Sequence, residues 1–224
     1  MQNLHKSPSQ RDPSIALVWG ALGAAAVLFL AIALAVATGA TAATDVRIGT
    51  WLHAHAAPLL TDLMAAISFV GAPTTLTAVA IAGGLFLAYR RKFAESVTLA
   101  IIVIGGNLLN VGLKHLVQRG RPVFDEPLLS LPTYSFPSGH AMASTVFFGL
   151  LALHAMEWTG RRAAARVEIG AAVSMIALVC FSRVYLGLHY PSDVVGGVAE
   201  GMAWLAVSWI ILQSMGRRLA GSRR

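Results

Sequence analysis

One apolar run near the start of the chain, residues 15–40, contains no charged residue and constrains the fold more than any other feature. It is longer than the roughly 20 apolar residues that cross a bilayer as a helix. A cleavable signal peptide is the alternative, because small residues follow at 40–43, but a signal's apolar core spans only about 7–15 residues. The length of the run favours a membrane anchor that is retained.

Five further apolar segments follow, and each is predicted to be a transmembrane helix. They cover residues 61–89, 94–116, 138–158, 167–183 and 192–215. Only 12% of the residues are charged, against about twice that share in a soluble domain, so most of the chain is expected to lie in lipid. The sequence Gly71-Ala72-Pro73 interrupts the second span, and a kink is expected there.

The region Asp45–Ala57 differs from the spans, because its apolar residues form a ragged helical stripe among polar ones. This pattern predicts a short helix on the extracytoplasmic surface. The full prediction is an all-α, polytopic six-transmembrane-helix bundle over residues 15–216. A disordered cytoplasmic tail at 1–14 and a basic cytoplasmic tail at 217–224 flank it.

The net charge of +7 is distributed in a way that indicates membrane topology and not a nucleic-acid partner. Basic clusters occur at alternate ends of successive predicted helices, which is the positive-inside pattern. They lie at residues 6–11, 90–92, 161–166 and 217–224. Both termini are therefore expected in the cytoplasm, with the protein in the cell (inner or plasma) membrane. Outside the motifs described next, Arg47 and Arg119 are the few basic residues on the outward face.

Three short segments contain most of the remaining chemistry. They are Lys114-x6-Arg121-Pro122, Pro137-Ser138-Gly139-His140 and Ser182-Arg183-x5-His189-x3-Asp193. The predicted topology brings all three to the extracytoplasmic end of the bundle. Lys114 supplies a point charge, whereas Arg121 and Arg183 supply planar forks that match phosphate oxygens. Together they predict a phosphate-binding site.

The second segment is predicted to start a helix at this site. Gly139 allows close backbone approach, and the first amides of the helix point at a bound anion. Ser138 can add a hydroxyl group. These features reinforce the prediction of a phosphate site.

The two motif histidines suggest how a phosphate ester would be broken. His189 is the candidate nucleophile, because a neutral imidazole nitrogen can attack phosphorus and form a phosphohistidine. Asp193 can accept the other ring N–H, fixing the tautomer and stabilising the imidazolium that develops. His140 is the candidate general acid, which protonates the leaving oxygen and then activates water.

All of these motif positions, in this order, resemble the type-2 phosphatidic acid phosphatase family. The resemblance covers most of the chain from about residue 60 onward. It implies that His189 is phosphorylated and that His140 protonates the leaving group. It implies that Lys114, Arg121 and the remaining motif residues Ser138, Gly139 and Arg183 hold the phosphate. It further implies a lipid phosphatase without a cofactor, with undecaprenyl diphosphate as the first expectation and phosphatidylglycerophosphate or phosphatidic acid as alternatives.

Other interpretations of the same residues stay open at this point. A transferase could use the same motifs to pass the phosphoryl or phospho-head group to an alcohol, and a non-catalytic lipid-binding protein could share them. A metal site at His189-x3-Asp193 is disfavoured because the nearby cations would repel a divalent ion; Asp125 and Glu126 are the reserve ligands. Asn107, Asn110 and Glu200 are polar residues within predicted spans whose role the sequence leaves open.

Overall fold

A computed structural model describes residues 13–123, 133–158 and 162–221, and side chains within this range except at 13–15, 154–158, 162–163 and 213–221. Every regular element in these ranges is helical, which confirms the all-α prediction. The helices are α1 (Pro13–Ala37), α2 (Ala42–Ala54), α3 (Pro58–Val70), α4 (Pro73–Tyr89), α5 (Phe93–Val117), α6 (Gly139–Trp158), α7 (Arg162–Tyr185) and α8 (Pro191–Gly221).

Four of the described helices are long and apolar enough to cross a membrane. They contribute the segments Ala16–Ala37, Phe93–Val117, Ala164–Tyr185 and Pro191–Leu212. Helices α3 and α4 pass the same test only as a pair, which would make a fifth span. Helix α6 is 20 residues long, and the part of it whose side chains the structure describes, Gly139–Leu153, is apolar but too short by itself to count as a span. The chain is therefore a multi-pass membrane protein, and the sixth span stays a prediction.

Helices α3 and α4 meet at a bend of 41°, which confirms the predicted kink. Pro73 is at the start of α4, where the missing N–H costs no intrahelical hydrogen bond. Gly71, which ends α3, lies directly against α7: a Cβ atom there would be 2.4 Å from a methyl carbon of Val179. The bend therefore occurs where the backbone itself packs on a neighbouring helix.

Helix α6 packs against both α7 and α8, and α1 packs against α8. Two glycines let α8 approach α6 closely. A Cβ atom at Gly197 would lie 2.4 Å from the carbonyl oxygen of Ser138, and one at Gly201 would lie 2.8 Å from Cβ of Thr145. Small residues serve this purpose in membrane bundles, where backbone approach replaces the hydrophobic effect. This packing places the start of α6 beside the start of α8.

The short helix that follows α1 begins and ends three residues earlier than predicted, at Ala42 and Ala54. Its buried side faces the bundle with Asp45 and Gly49, while Val46 and Trp51 are exposed. Its location at the membrane surface stays a prediction.

The predicted tails fall largely outside the described residues, which exclude 1–12 and 222–224. Helix α8 continues to Gly221 and so passes residue 216, where the membrane domain was predicted to end. Residues 213–221 contain no proline, the residue that breaks a helix most strongly.

Candidate active site

The end of α5 positions the first motif. Gln118 adopts a left-handed conformation, with φ of 52°, and its N–H caps the helix by donating to the Lys114 carbonyl at 2.9 Å. The Lys114 ammonium donates to the carbonyl oxygens of Tyr134 at 2.9 Å and Ser135 at 3.3 Å. These bonds tie the end of α5 to the segment that leads into α6.

Arg121 is held by backbone and side-chain acceptors on both sides. Its guanidinium donates to the carbonyl of Thr133 at 2.7 Å, to the Thr133 hydroxyl at 2.8 Å and to the carbonyl of Leu188. Burial lowers the pKa of Arg121, although the carboxylate of Asp193 acts in the opposite direction. The fork is thereby fixed beside His189, with Nη1 3.4 Å from the His189 Nε2 atom.

The start of α6 supplies backbone donors. Ser138 is fully buried, and its N–H donates to the carbonyl of Asp193 at 2.9 Å. Its hydroxyl has no hydrogen-bond partner among the described residues. Gly139 is the first residue of α6, and a Cβ atom there would be 3.0 Å from Oδ1 of Asn110. The first amides of the helix have no intrahelical acceptor and can bind an anion.

The connection between α7 and α8 brings in the third motif. Gly187 has φ of +69°, a left-handed conformation that costs glycine little, and the turn it makes directs His189 back toward the bundle. Arg183, near the end of α7, is buried and donates one bond to the Ser68 hydroxyl. Its Nε and Nη2 atoms are buried without a partner in the described ranges. They are donors that a phosphate oxygen can satisfy.

His189 and Asp193 form a buried pair. Nδ1 of His189 lies 3.5 Å from Oδ2 of Asp193, at the long limit of a hydrogen bond and without the alignment of one. Catalytic contacts of this kind often shorten when substrate binds. Burial lowers the pKa of His189 to about 3, against the smaller upward effect of Asp193. The imidazole is therefore neutral at physiological pH, as a nucleophile must be.

Two further charged residues, Arg119 and Asp45, are linked to Asp193, and the sequence does not predict this contact. Arg119 donates to Oδ1 of Asp193 at 2.6 Å and to Oδ2 of Asp45 at 2.8 Å. Its guanidinium also stacks on the Tyr190 ring, 4.3 Å from the centroid. Arg119 was noted only as an outward-facing basic residue, and Asp45 only as the start of the surface helix. The one available signal was that so few basic residues face outward.

A cavity of about 720 Å³ opens in front of these groups. Six of the eight predicted site residues line it: Lys114, Arg121, Gly139, His140, Arg183 and His189. Ser138 and Asp193 are buried behind the lining. Another wall comes from α4 and α5. It includes the apolar residues Pro73, Ala78, Ile81 and Val111 and the polar residues Thr74, Thr77, Asn107 and Asn110. The cavity thus combines a cationic end with a wall that carries apolar side chains.

The structure also shows the contacts of Asn107, Asn110 and Glu200, whose role the sequence does not indicate. The Asn110 amide, which also lines the cavity, donates to Oε2 of Glu200 at 2.7 Å, so these two side chains connect α5 and α8. Asn107 donates to the Thr77 hydroxyl at 3.0 Å. Among the described residues, no group of three or more His, Cys, Asp or Glu side chains could hold a metal ion. Asp125 and Glu126 lie outside the described residues.

Comparison with known proteins places this arrangement in a family. Residues 95–217 match the PAP2 superfamily. The chain is 30% identical to Phosphatidylglycerophosphatase B of Bacillus subtilis (strain 168), over 79% of this chain and 87% of that protein. It is 32% identical to an Undecaprenyl-diphosphatase of Sulfolobus acidocaldarius, over 58% of this chain and 59% of that protein.

A solved structure shows the same fold. The crystal structure of the transmembrane PAP2 type phosphatidylglycerolphosphate phosphatase from Bacillus subtilis superposes with a TM-score of 0.76 at 27% identity. The superposition covers 86% of this chain and 96% of that one. The family match includes all three motifs, which confirms the resemblance noted from the sequence. This chain belongs to the PAP2 superfamily.

Proposed function

We propose that this membrane enzyme hydrolyses a lipid phosphate or diphosphate through a phosphohistidine on His189. The observation that carries the proposal is the orientation of this imidazole. Nδ1 lies 3.5 Å from the buried Asp193 carboxylate, whereas Nε2 lies beside the Arg121 guanidinium at the cavity. A neutral ring in this orientation presents its Nε2 lone pair to a bound phosphorus atom.

In the first step, Nε2 of His189 attacks phosphorus and the bond to the leaving oxygen breaks. His140, which also lines the cavity and must enter this step protonated, delivers its proton to that oxygen. Lys114, Arg121 and Arg183 neutralise the charge on the phosphoryl oxygens as the transition state forms. The imidazolium that develops on His189 is stabilised by Asp193.

In the second step, water takes the place of the leaving group. His140, now neutral, removes a proton from water as the oxygen attacks phosphorus. The P–N bond breaks, inorganic phosphate is released and His189 returns to its neutral form. The same cations serve both steps, so the cycle requires no cofactor.

The apolar wall of the cavity supports a lipid substrate. Ala78, Ile81 and Val111 extend the binding surface away from the cations along α4 and α5. A head group at the cationic end would leave its tail against this wall. The long alignment to a protein named Phosphatidylglycerophosphatase B favours phosphatidylglycerophosphate as substrate. The shorter alignment to an Undecaprenyl-diphosphatase supports undecaprenyl diphosphate as the second candidate.

The proposal includes a location. With α3 and α4 as one span and α6 as another, the chain would cross the inner or plasma membrane six times. The positive-inside pattern then supports cytoplasmic termini and a site that faces the extracytoplasmic side. Helix α2 would lie at that outer surface.

The decisive experiment measures phosphate release by the purified protein in detergent. The panel contains phosphatidylglycerophosphate, undecaprenyl diphosphate and phosphatidic acid. His189→Ala should lower turnover by several orders of magnitude. His55→Ala removes an exposed histidine that directly follows α2 and should leave turnover unchanged. An acid-labile phosphoryl label should form on the wild type and be absent from His189→Ala.

The competing functions give different results in the same assay. A transferase would consume the lipid and release phosphate only when no alcohol acceptor is present. A lipid-binding protein would release none from any substrate. Equal turnover by His189→Ala and the wild type would refute the assignment of the nucleophile.

A further inference from the structure

The carboxylate of Asp193 is held from three sides although none of its surface is exposed. Oδ1 accepts a hydrogen bond from Arg119 at 2.6 Å, and Oδ2 accepts one from the Tyr190 N–H at 2.9 Å. His189 approaches the same Oδ2 atom. Because His189 is neutral in the free enzyme, Arg119 is the permanent cation paired with Asp193 among the described residues. A buried carboxylate that lacked such a partner would be strongly destabilised.

Arg119 is itself fixed by a residue far away in the sequence. Asp45 is 2% exposed and accepts from Arg119 through Oδ2. It also accepts from the N–H of Ser192 at 3.0 Å and from the Ser192 hydroxyl. One residue of α2 therefore binds both the loop after α5 and the first turn of α8. Attraction to Asp193 and Asp45 raises the pKa of Arg119, even though its burial acts to lower it.

We propose that Arg119 and Asp45 are positioning residues for the hydrolytic reaction. In this view, α2 supplies Asp45, Asp45 orients the Arg119 fork, and Arg119 fixes the Asp193 carboxylate that orients His189. The inference rests on the proposed function, because it requires His189 as the nucleophile. It makes the short helix after α1 a part of the active site, although no motif residue lies on it.

The charges of this group also suit the reaction. Asp45 and Asp193 carry two negative charges and Arg119 carries one positive charge, so the set has a net charge of about −1 at neutral pH. Attack on phosphorus places a positive charge on the His189 ring, next to this set. The set therefore stabilises the transition state more than the neutral ground state through its two carboxylates. The charge of Arg119 acts against this effect, so its expected contribution to kcat is to hold Asp193 in place.

The alternative is that the Asp45–Arg119 contact only fastens α2 to the bundle. The two ideas differ in what they predict for binding and turnover. Arg119 does not line the cavity, whereas Arg121, two residues later, does. A positioning role for Arg119 predicts a loss in kcat with little change in KM. Loss of Arg121, which is placed to grip the phosphate, should raise KM.

The test compares wild type, Arg119→Gln, Asp45→Asn and the double variant in detergent, with His189→Ala as the inactive reference. We expect kcat of Arg119→Gln to fall by about 10²-fold, the scale of a displacement of about 1 Å at a reacting group. KM should change by less than about threefold, a difference in binding free energy smaller than that of a typical hydrogen bond. Asp45→Asn should show a smaller loss of kcat. The double variant should resemble Arg119→Gln, because Asp45 acts through Arg119.

Two further variants serve as controls. Arg47→Gln removes an exposed charge from the same helix and should leave kcat and KM unchanged. Arg121→Gln should raise KM. The rate of phosphohistidine labelling, measured with substrate saturating, should follow kcat across the series.

The outcomes separate cleanly. Any of three results would overturn the inference while leaving the proposed function intact. They are an unchanged kcat in Arg119→Gln, a change in KM alone in that variant, and additive losses of kcat in the double variant. If Arg119→Gln does not fold, Asp45→Asn decides: unchanged kcat in the folded protein overturns the inference. If wild type hydrolyses no lipid, or His189→Ala stays active, the proposed function fails and this inference fails with it.

Discussion

Replacement of Gly197 by alanine tests whether the close approach of α8 to α6 is needed for catalysis. The added methyl carbon would lie 2.4 Å from the Ser138 carbonyl oxygen and 3.0 Å from Cβ of Ala141. Ordinary van der Waals contact begins at 3.4 Å, so the start of α6 would have to move by about 1 Å. The obstacle is helix backbone, which cannot rotate away as a side chain can.

This displacement has two calculable effects. Overpacking of a well-packed interior costs about 1–3 kcal/mol of folding free energy. In a chain of this size that lowers the melting temperature by roughly 2–12 °C. The backbone hydrogen bond from Ser138 to Asp193 normally sets the start of α6 against the start of α8. The same movement disturbs this contact and shifts the amides of Gly139 and His140 relative to His189. A misplacement of about 1 Å at reacting groups lowers turnover by about 10²-fold.

The assay is phosphate release in detergent, at a temperature well below the melting temperature of the variant. Gly170→Ala is the matched control, because a Cβ atom there has no neighbouring atom within 4 Å. It should keep wild-type turnover. If Gly197→Ala is folded and retains wild-type kcat, the start of α6 does not set the geometry of the reaction and the reasoning is wrong.

Three further predictions concern the metal, the pH and the membrane. Turnover should survive excess EDTA, because Lys114 and two arginines supply the charge that a metal would otherwise provide; a loss restored by magnesium or zinc would contradict this. Burial lowers the pKa of His189 to about 3, against about 6.5 in an unfolded chain. As the pH falls from 6.5 toward 3, the unfolded chain binds a proton at this residue that the folded protein does not, so the free energy of unfolding decreases over that range. The melting temperature should therefore fall more steeply between pH 7 and 4.5 in wild type than in His189→Gln, and parallel curves would refute this. The membrane topology is tested with single cysteines in a Cys180→Ser background. Val123→Cys, at a position that is 92% exposed, should react with an impermeant thiol reagent in intact cells or spheroplasts, whereas Arg90→Cys should not. The reverse pattern would invert the proposed topology.

The sequence predicts those parts of the site that depend on the spacing of residues along a helix or between successive spans. His189 and Asp193 are four residues apart at the start of a helix, and alternating spans are enough to bring Lys114 and Gly139 to the same membrane face. The kink before Pro73 is similarly local. These features depend on residue type and separation along the chain, which the sequence states directly.

The part that the sequence does not predict depends on contacts between distant segments. Asp45 and Arg119 are 74 residues apart, and no helical or motif spacing joins them. Asn110 and Glu200 were each singled out as polar residues in a span, but their pairing depends on how α5 and α8 are rotated. Gly197 is one of several glycines in α8, and only the packed structure shows which atoms a methyl group would meet at each of them.

The packing of α1 against α8 has a consequence for how the protein is made. Of the described helices, α1 is made first and α8 last, and α1 has its main partner in α8. Until α8 enters the membrane, α1 is surrounded by lipid, and the chain lacks Asp193 and the backbone that supports Ser138. A growing or truncated chain that ends before α8 thus has cations and histidines in the bilayer but no assembled nucleophile. The assembled site therefore requires that α8 has entered the membrane.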